Sequence, residues 1–219
     1  RPEVTLALNC DWDHSDRYAT RQDFRETLAR LFARTKGFVL APEGDELEEL
    51  ARSRASCPTV TFEAHLEPGA YNEHNASAAF AACRVIGAKP SAEALDDFPG
   101  LARRQSVLGE TSKRFILEDY AHHPTEIRAV LAEAREHFPS RSLKVVFQPH
   151  RYSRTSALVA EFAAELAVAD DLFLLSTYGA YETPEVSGEV ENLIGFLPPR
   201  LRDRVCVHDD FFTLREAIG

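Results

Sequence analysis

Two stretches of the chain decide its fold class: FILEDYAHHPTEI at residues 115–127 and LKVVFQPHRYSRT at residues 143–155. Each starts with a short run of Val, Leu, Ile and Phe, which is typical of a buried strand, and continues into a polar loop. Similar apolar runs follow at residues 171–176 and 204–208. Helical patterns lie at residues 125–138, 154–169, 187–196 and 210–218. The alternation predicts an α/β fold with a Rossmann-like, mostly parallel sheet that carries helices on both faces.

The amino-terminal half shows strand and helix patterns in a less regular order. Thr20 and Asp23 have the spacing of a capping box at the start of a helix, and Gly37 is placed to end that helix. Strand patterns lie at residues 4–9, 38–41 and 59–62, and further helical patterns lie at residues 45–54 and 75–86. The Pro- and Gly-containing stretch at residues 89–104 is typical of a linker. We therefore predict two domains, residues 1–97 and residues 98–219.

Composition excludes several classes of protein. Of the 219 residues, 44% are hydrophobic, but no apolar run approaches the roughly 20 residues that span a bilayer, so we expect no membrane insertion. The net charge of −10 argues against nucleic-acid binding. The four cysteines (Cys10, Cys57, Cys83 and Cys206) form no C-x-x-C pair. We expect them to be reduced, mostly buried thiols of a cytoplasmic protein.

Polar side chains with unusual chemistry follow two of the predicted strands. The first loop holds Asp119, Tyr120, His122 and His123, and the second holds His150, Arg151, Tyr152 and Arg154. Because the carboxyl ends of parallel strands meet at one edge of a sheet, we expect the two loops to lie together. Two arginines and three histidines in an otherwise acidic protein predict an anion site. For either loop alone, a simple helix cap or a solvated surface is an equal interpretation.

A third polar group follows the first strand, in the sequence NCDWDHSD at residues 9–16. Asp11, Asp13, His14 and Asp16 offer oxygen and nitrogen ligands that suit a hard divalent cation near phosphates. The alternative is an Asp-rich turn that caps the following helix. At the two histidine-containing loops zinc is a weaker prediction, because the adjacent histidines point in different directions and no cysteine stands at ligand spacing.

Together these motifs resemble the Mur ligase family, and within it the branch that joins L-alanine to UDP-N-acetylmuramic acid. The resemblance rests on DYAHHPTEI (119–127), QPHRYSRT (148–155), NCDWDHSD (9–16), GAYNEHNA (69–76) and FPGLARR (98–104), and it covers the whole chain. It implies an ATP- and Mg²⁺-dependent ligase of peptidoglycan precursor synthesis. In that reaction ATP phosphorylates the muramyl carboxylate, and the alanine amine then attacks the acyl phosphate.

The resemblance also implies a role for each matching residue. His14 corresponds to a magnesium ligand, and His14, His123 and Arg151 are the implied catalytic residues. The implied ATP-binding residues are Asn72 and Asn75 for the adenine, Arg104 for the phosphates and Asp119 for the ribose. The implied substrate-binding residues are Tyr120, His122, His150 and Arg154. An arginine fork fits the free carboxylate of alanine, and either Arg151 or Arg154 is the candidate.

Two features favour the alanine-adding branch over its relatives. No Lys occurs between His14 and Thr35, where ligases of later amino acids usually carry a carbamylated Lys, and the QPHRYSRT run is intact. The alternatives are a tripeptide-recycling relative and a non-catalytic, Mur-like ligand-binding module. The resemblance makes residues 1–97 part of the middle, ATP-binding domain without its P-loop, and residues 98–219 the carboxyl-terminal domain.

The chain is expected to be part of a longer protein. It begins with Arg1 and contains no Met. The family's P-loop and its amino-terminal UDP-binding domain are expected elsewhere in the full protein. Without the P-loop amides and lysine the ATP phosphates lack their cradle, so we expect these 219 residues to be inactive alone.

Overall fold

A computed structural model describes residues 1–65, 70–95 and 101–218. By internal contacts the chain divides into two compact units. The first unit comprises residues 1–12 and 18–102, and the second comprises residues 13–17 and 103–219. The predicted domain boundary after residue 97 lies outside the described residues. No helix within the described ranges is long and apolar enough to cross a membrane.

The first unit is a parallel sheet between helices. Its elements are β1 (Val4–Leu6), α1 (Arg21–Arg34), β2 (Phe38–Pro42), α2 (Glu46–Arg54), β3 (Thr59–Phe62), α3 (Tyr71–Val85) and a 3-10 turn at Ala92–Leu95. The strands pair in the order β1-β2-β3, all parallel. Successive side chains of β2 point to opposite faces of the sheet. Val39 and Ala41 pack with Phe32 and Leu47, while Leu40 packs on the other face with Ala78 of α3.

The start of α1 agrees with the prediction from the sequence, but its end does not. Thr20 and Asp23 form the predicted capping box, with the Asp23 amide donating to the Thr20 hydroxyl at 3.1 Å and the Thr20 amide donating to the Asp23 carboxylate at 3.0 Å. Gly37 does not end the helix, because Thr35 already leaves it in an extended conformation. Gly37 instead allows two segments of the chain to lie close together: a Cβ there would lie 2.6 Å from the carbonyl oxygen of Glu3.

The second unit contains the larger share of the polar motifs. Its elements are β4 (Ser106–Glu110), β5 (Phe115–Glu118), α4 (Pro124–His137), β6 (Lys144–Phe147), α5 (Tyr152–Ala157), α6 (Val159–Leu166), β7 (Asp171–Leu175), a 3-10 turn at Val186–Gly188, α7 (Glu191–Ile194), α8 (Pro199–Arg202), β8 (Cys206–His208) and α9 (Phe211–Ile218). The strands β6, β7 and β8 form a parallel sheet in that order. Phe147 of β6 contacts Phe162 of α6, with ring centroids 5.4 Å apart. The predicted α/β class with parallel sheets is confirmed.

The expectation that the FILED run joins the parallel sheet is wrong. Its strand β5 pairs antiparallel with β4, in a separate two-stranded sheet. The Thr111 hydroxyl accepts the Arg114 amide at 2.9 Å and so closes the turn between β4 and β5. An antiparallel pair needs only such a short turn, whereas a parallel pair needs a long crossover. The sequence pattern misses β4, because an irregular register between Val107 and Gly109 breaks its alternation.

Two further expectations differ in detail. The helical pattern at residues 154–169 forms two helices, because Leu158 leaves the helical conformation at φ −123° and is buried. The four cysteines are free, as expected, but none is fully buried: Cys10, Cys57 and Cys83 are partly exposed and Cys206 is exposed.

Gly188 provides a test of the contact between α5 and the turn that follows β7. It is buried, and an added Cβ would lie 2.5 Å from the Tyr152 Cα. Because backbone atoms cannot give way as a flexible side chain can, Gly188→Ala should lower the free energy of unfolding by about 1–3 kcal/mol. Urea denaturation followed by circular dichroism measures this change.

Gly195→Ala is the matched control. Its backbone is right-handed helical, and a Cβ there would lie 3.5 Å from the Asn192 carbonyl oxygen. We expect Gly195→Ala to be neutral or to stabilise the fold by up to about 1 kcal/mol. Equal losses of stability in the two variants would contradict the close approach at Gly188.

Candidate functional site

The second unit brings most of the predicted site residues into one group, which we call the edge cluster. Its members are Asp13, His14, Asp16, Arg104, Asp119, Tyr120, His122, His150, Arg151, Arg154, Tyr181 and Glu182. They come from residues 13–17, from the loops that follow β5, β6 and β7, from the start of α5, and from the chain leading into β4. The loops after β5 and β6 meet at His122 and His150, whose ring centroids lie 6.3 Å apart. The predicted meeting of the two loops is thus observed, although β5 lies outside the parallel sheet.

Arg154 is held by a carboxylate within the edge cluster. Only 5% of its side chain is exposed. Its Nε and Nη2 groups donate to the two oxygens of Asp13 at 2.7 and 2.8 Å, and Nη1 donates to the His150 carbonyl oxygen at 3.2 Å. Such a two-pronged pair is strong and fixes geometry. Partial burial alone would raise the pKa of Asp13, but the bonds from Arg154 and from the His14 backbone keep that pKa well below its usual range.

Arg151 lies beside this pair in a different environment. Its side chain is 14% exposed, and its guanidinium carbon stands 4.7 Å from the centroid of the Tyr181 ring. Nη1 lies 3.3 Å from His14 Nδ1 and 3.7 Å from an Asp16 oxygen. The Nε group is buried and has no hydrogen-bond partner among the described residues. An unpaired buried donor is costly, so this N–H is suited to an anionic ligand.

The backbone of Arg151 is as constrained as its side chain. Its φ of +74° lies in the left-handed region, which a non-glycine residue adopts only where its surroundings enforce it. The Arg151 amide donates to the Tyr178 carbonyl at 2.8 Å, and the Thr155 hydroxyl donates to the Arg151 carbonyl at 2.8 Å. These bonds hold the strained residue in place.

All five non-glycine residues with positive φ in the described ranges lie close to the edge cluster in the sequence. They are His14, Arg103, Gln105, Arg151 and Ala180. Each such conformation costs about 1–3 kcal/mol, and it persists where other contacts over-determine it. Among the described residues, the strained non-glycine backbone is therefore concentrated in and next to the edge cluster.

A row of four rings crosses the edge cluster. Tyr120, His122, His150 and Tyr178 follow one another with centroid separations of 5.2, 6.3 and 5.4 Å. Partial burial, and then the positive charges of Arg154 and Arg151, lower the pKa of His150. His150 is therefore neutral near pH 7, and one of its ring nitrogens can accept a hydrogen bond.

His123 acts as the amino-terminal cap of α4. Its Nδ1 accepts the Thr125 amide at 3.3 Å, and the Glu126 carboxylate accepts the amides of His122 and His123 at 2.9 and 3.2 Å. Pro124 occupies the first turn of the helix. The capping interpretation of the His-Pro pair is therefore realised for this residue.

Asp119 is engaged by backbone amides. Its two oxygens accept the amides of Gln105 and Ala121 at 2.9 and 2.7 Å, and its side chain is 9% exposed. Arg104 lies 3.9 Å from the same carboxylate, and its guanidinium carbon is 5.8 Å from the Tyr120 ring centroid. Asp119 thus fixes the strained turn that carries Arg104.

His14 is the candidate magnesium ligand, and its side chain is 46% exposed. Both oxygens of the adjacent Asp13 are taken by Arg154, so Asp13 does not suit a second ligand. Within the described ranges no three His, Cys, Asp or Glu side chains are placed to hold a metal. His14 fits Mg²⁺ only as a single protein ligand, an arrangement that relies on phosphate oxygens and water for the remaining positions.

Asn72 and Asn75 belong to the first unit. Both are exposed and stand three residues apart, on one side of the first two turns of α3. His74 between them is buried, with Nε2 3.0 Å from the Leu8 carbonyl oxygen.

The loop after β7 contributes residues that the sequence analysis missed. Tyr181 lies against Arg151, and Glu182 accepts the Ser153 amide at 2.9 Å and the Ser153 hydroxyl at 2.6 Å. The signal was present, because β7 is the parallel neighbour of β6 and its loop must emerge at the same edge of the sheet.

These features define a class of protein: an α/β domain with a strained, arginine-containing cluster of polar side chains at the carboxyl ends of its parallel strands. Residues 103–215 match the Mur ligase, glutamate ligase domain family. The chain belongs to the Mur ligase family, so the family predicted from the motifs is confirmed.

Named relatives agree with this membership. A UDP-N-acetylmuramate--L-alanine ligase of Arthrobacter sp. is 33% identical over 89% of this chain and 49% of its own length. The enzyme of the same name from Bifidobacterium longum subsp. infantis is 43% identical over 83% of this chain and 46% of its own length. The chain thus spans about half the length of the curated relatives that it matches. The solved structure of UDP-N-acetylmuramate-alanine ligase MurC from Thermotoga maritima covers 100% of this chain and 54% of its own, with a TM-score of 0.67 at 23% identity, and it supports the fold.

Glu182 gives the site a testable pH dependence. Partial burial would raise its pKa, but the bonds from Ser153 outweigh burial and lower it. The stabilisation by Glu182 is therefore complete above the unfolded pKa of about 4.3 and is lost as pH falls through the lower folded value. Glu182→Gln should reduce the free energy of unfolding by about 1 kcal/mol at pH 7. The difference from wild type should shrink as pH falls below the unfolded pKa, because the unfolded wild-type chain then binds a proton that the folded carboxylate does not yet bind.

Denaturation in urea at pH 7 and pH 3.5 measures this difference. Glu185→Gln is the control, since Glu185 lies on the same loop and its carboxylate accepts the hydroxyl of the exposed Ser187. A Glu182→Gln deficit that is as large at pH 3.5 as at pH 7 would argue against the assigned contact.

Proposed function

We propose that this chain is part of a cytoplasmic, ATP-dependent ligase that joins L-alanine to UDP-N-acetylmuramic acid in peptidoglycan precursor synthesis. The named relatives support this proposal, as do the absent Lys between His14 and Thr35 and the intact QPHRYSRT run. The free cysteines fit a reducing compartment. The chain spans about half the length of these relatives, and we propose that the P-loop and the UDP-binding domain of the enzyme lie in the other half.

The observation that carries the proposal is the environment of Arg151. Its guanidinium is restrained by Tyr181 and His14, and its buried Nε lacks a partner. A carboxylate that accepts from this side of the guanidinium would satisfy the orphan donor and would leave the amine of the same amino acid unbound. We therefore assign the alanine carboxylate to Arg151. Arg154 is less suited to this role, because Asp13 and the His150 carbonyl already accept its donors.

The neighbouring residues have supporting roles in the proposed reaction. His150 is neutral, so it can accept a hydrogen bond or a proton from the alanine ammonium group, which must lose a proton before its amine can attack. Tyr120 and His122 line the same row of rings and would bound the amino-acid site. His123 would contribute chiefly by fixing the start of α4, and thereby the loop that holds His122.

The residues that we propose for ATP and Mg²⁺ are those that match the family's motifs. We propose Asn72 and Asn75 for the adenine, Arg104 for the phosphates, Asp119 for the ribose and for the placement of Arg104, and His14 for the metal. When bound, ATP and Mg²⁺ supply the phosphoryl group that activates the muramyl carboxylate and the charge that neutralises its transfer. The residues of this chain would orient the reactants and contribute through proximity.

The full-length protein tests the function directly. It should release phosphate from ATP only when UDP-N-acetylmuramic acid and L-alanine are both present, as measured by a coupled phosphate assay. The 219-residue chain alone should be inactive. Equal turnover with the tripeptide substrate of the recycling relative would replace this proposal by that alternative. No turnover with either substrate by a full-length protein that has an intact P-loop would favour the non-catalytic module.

The assignment of Arg151 has its own prediction. Arg151→Ala in the full-length enzyme should raise the KM for alanine roughly tenfold to a hundredfold, because a charge-assisted hydrogen bond contributes about 1.5–3 kcal/mol. The KM for ATP should change little. Arg128→Ala is the control, since Arg128 is a half-exposed arginine on α4 that lies 3.8 Å from Glu165. A loss of ATP affinity with unchanged alanine dependence would show that the substrate is wrongly assigned.

A further inference from the structure

Arg154 and Asp13 form one side of a closed ring of contacts. Arg154 binds Asp13 with both prongs of its fork, and the chain continues from Asp13 to His14. His14 Nδ1 meets Arg151 Nη1 at 3.3 Å. His150 precedes Arg151 in the chain, and its carbonyl oxygen accepts the Nη1 group of Arg154 at 3.2 Å. The ring thus returns to its starting residue.

This ring joins residues that the chain separates widely. Asp13 and Arg154 are 141 positions apart, and residues 13–17 belong by their contacts to the second unit. His14 has a φ of +56° and Arg151 a φ of +74°, so neither adopts its backbone conformation by preference. Each lies directly next to a residue that Arg154 binds. The buried Arg154 guanidinium therefore restrains both strained residues: His14 through Asp13, and Arg151 through the His150 carbonyl.

We propose that Arg154 and Asp13 are positioning residues: they contact no substrate, and they hold His14 against Arg151 so that the Arg151 guanidinium keeps the orientation in which it receives the amino-acid carboxylate. This inference rests on the proposed function for the identity of the ligand. The restraint on Arg151 itself follows from the contacts alone.

The proposal and its alternative, in which Arg154 binds the carboxylate directly, predict different changes in the alanine KM of Asp13→Asn. If Arg154 bound the carboxylate directly, Asp13 would compete with the substrate, and Asp13→Asn would lower the alanine KM or leave it unchanged. If the pair positions Arg151, Asp13→Asn weakens one side of the ring. The alanine KM then rises at least fivefold while kcat changes less than the KM.

A double-mutant cycle in the full-length enzyme makes this test quantitative. Asp13→Asn and Arg154→Lys should each raise the alanine KM, and the double variant should be no worse than the poorer single variant, because both disrupt one contact. Effects that multiply, or a lowered KM in Asp13→Asn, would overturn the proposal. Arg128→Ala and Asp203→Asn are controls of the same residue types at exposed positions of α4 and at the end of α8.

A second measurement needs neither substrate nor turnover. In ¹⁵N-arginine-labelled full-length protein, the Arg151 Nε–H resonance is assigned by its absence from Arg151→Lys. This resonance should be protected from exchange in the wild type, and it should shift and exchange faster in Asp13→Asn and Arg154→Lys but not in the controls. An unchanged Arg151 resonance in folded Asp13→Asn protein would overturn the positioning role. A normal Arg151 response in an enzyme that ignores alanine would instead refute the proposed function.

Discussion

The buried guanidinium of Arg154 sets the strongest constraint on the edge cluster. A buried charge without a partner costs several kcal/mol, and breaking a buried pair costs about 3–5 kcal/mol. Asp13 meets this demand with both of its oxygens, and the His150 carbonyl takes a further donor. Since fork and carboxylate must stay coplanar and in contact, residues 13–17 are fixed against the start of α5. The positions of His14 and Arg151 follow from that one pair.

Around this pair several residues adopt strained backbone conformations, and hydrogen bonds hold them there. Hydrogen bonds to Tyr178 and Thr155 hold Arg151 in its left-handed conformation, and the Asp119 carboxylate accepts the amide of the left-handed Gln105. Each conformation would relax if its supporting bonds were lost. Such supported strain is typical of sites in which a ligand must meet donors that are already in place. Gly188 also packs closely against the backbone of Tyr152, the first residue of α5, which directly follows Arg151.

The electrostatics of the edge cluster differ from those of the whole chain, which carries a net charge of −10. Asp13 neutralises Arg154, and burial together with two nearby arginines keeps His150 neutral. Arg151 has Asp16 only at 3.7 Å, and its buried Nε has no partner within the described residues. Local pairing therefore leaves Arg151 as the cation that is best suited to an anionic ligand, although the protein as a whole repels anions.

The sequence by itself determined the features that local chemistry controls. Apolar runs that alternate with helical patterns along the chain predicted the α/β class. Thr20 and Asp23 predicted the start of α1, and the motifs predicted the Mur ligase family. Only the tertiary structure decided which arginine is already paired, because the partner of Arg154 is Asp13, which lies 141 residues away in the sequence. The antiparallel pairing of β5 was also decided there, because a strand's apolar pattern does not specify the direction of its partner. Periodicity and capping act over a few residues, whereas burial and ion pairing depend on which distant segments meet in the fold.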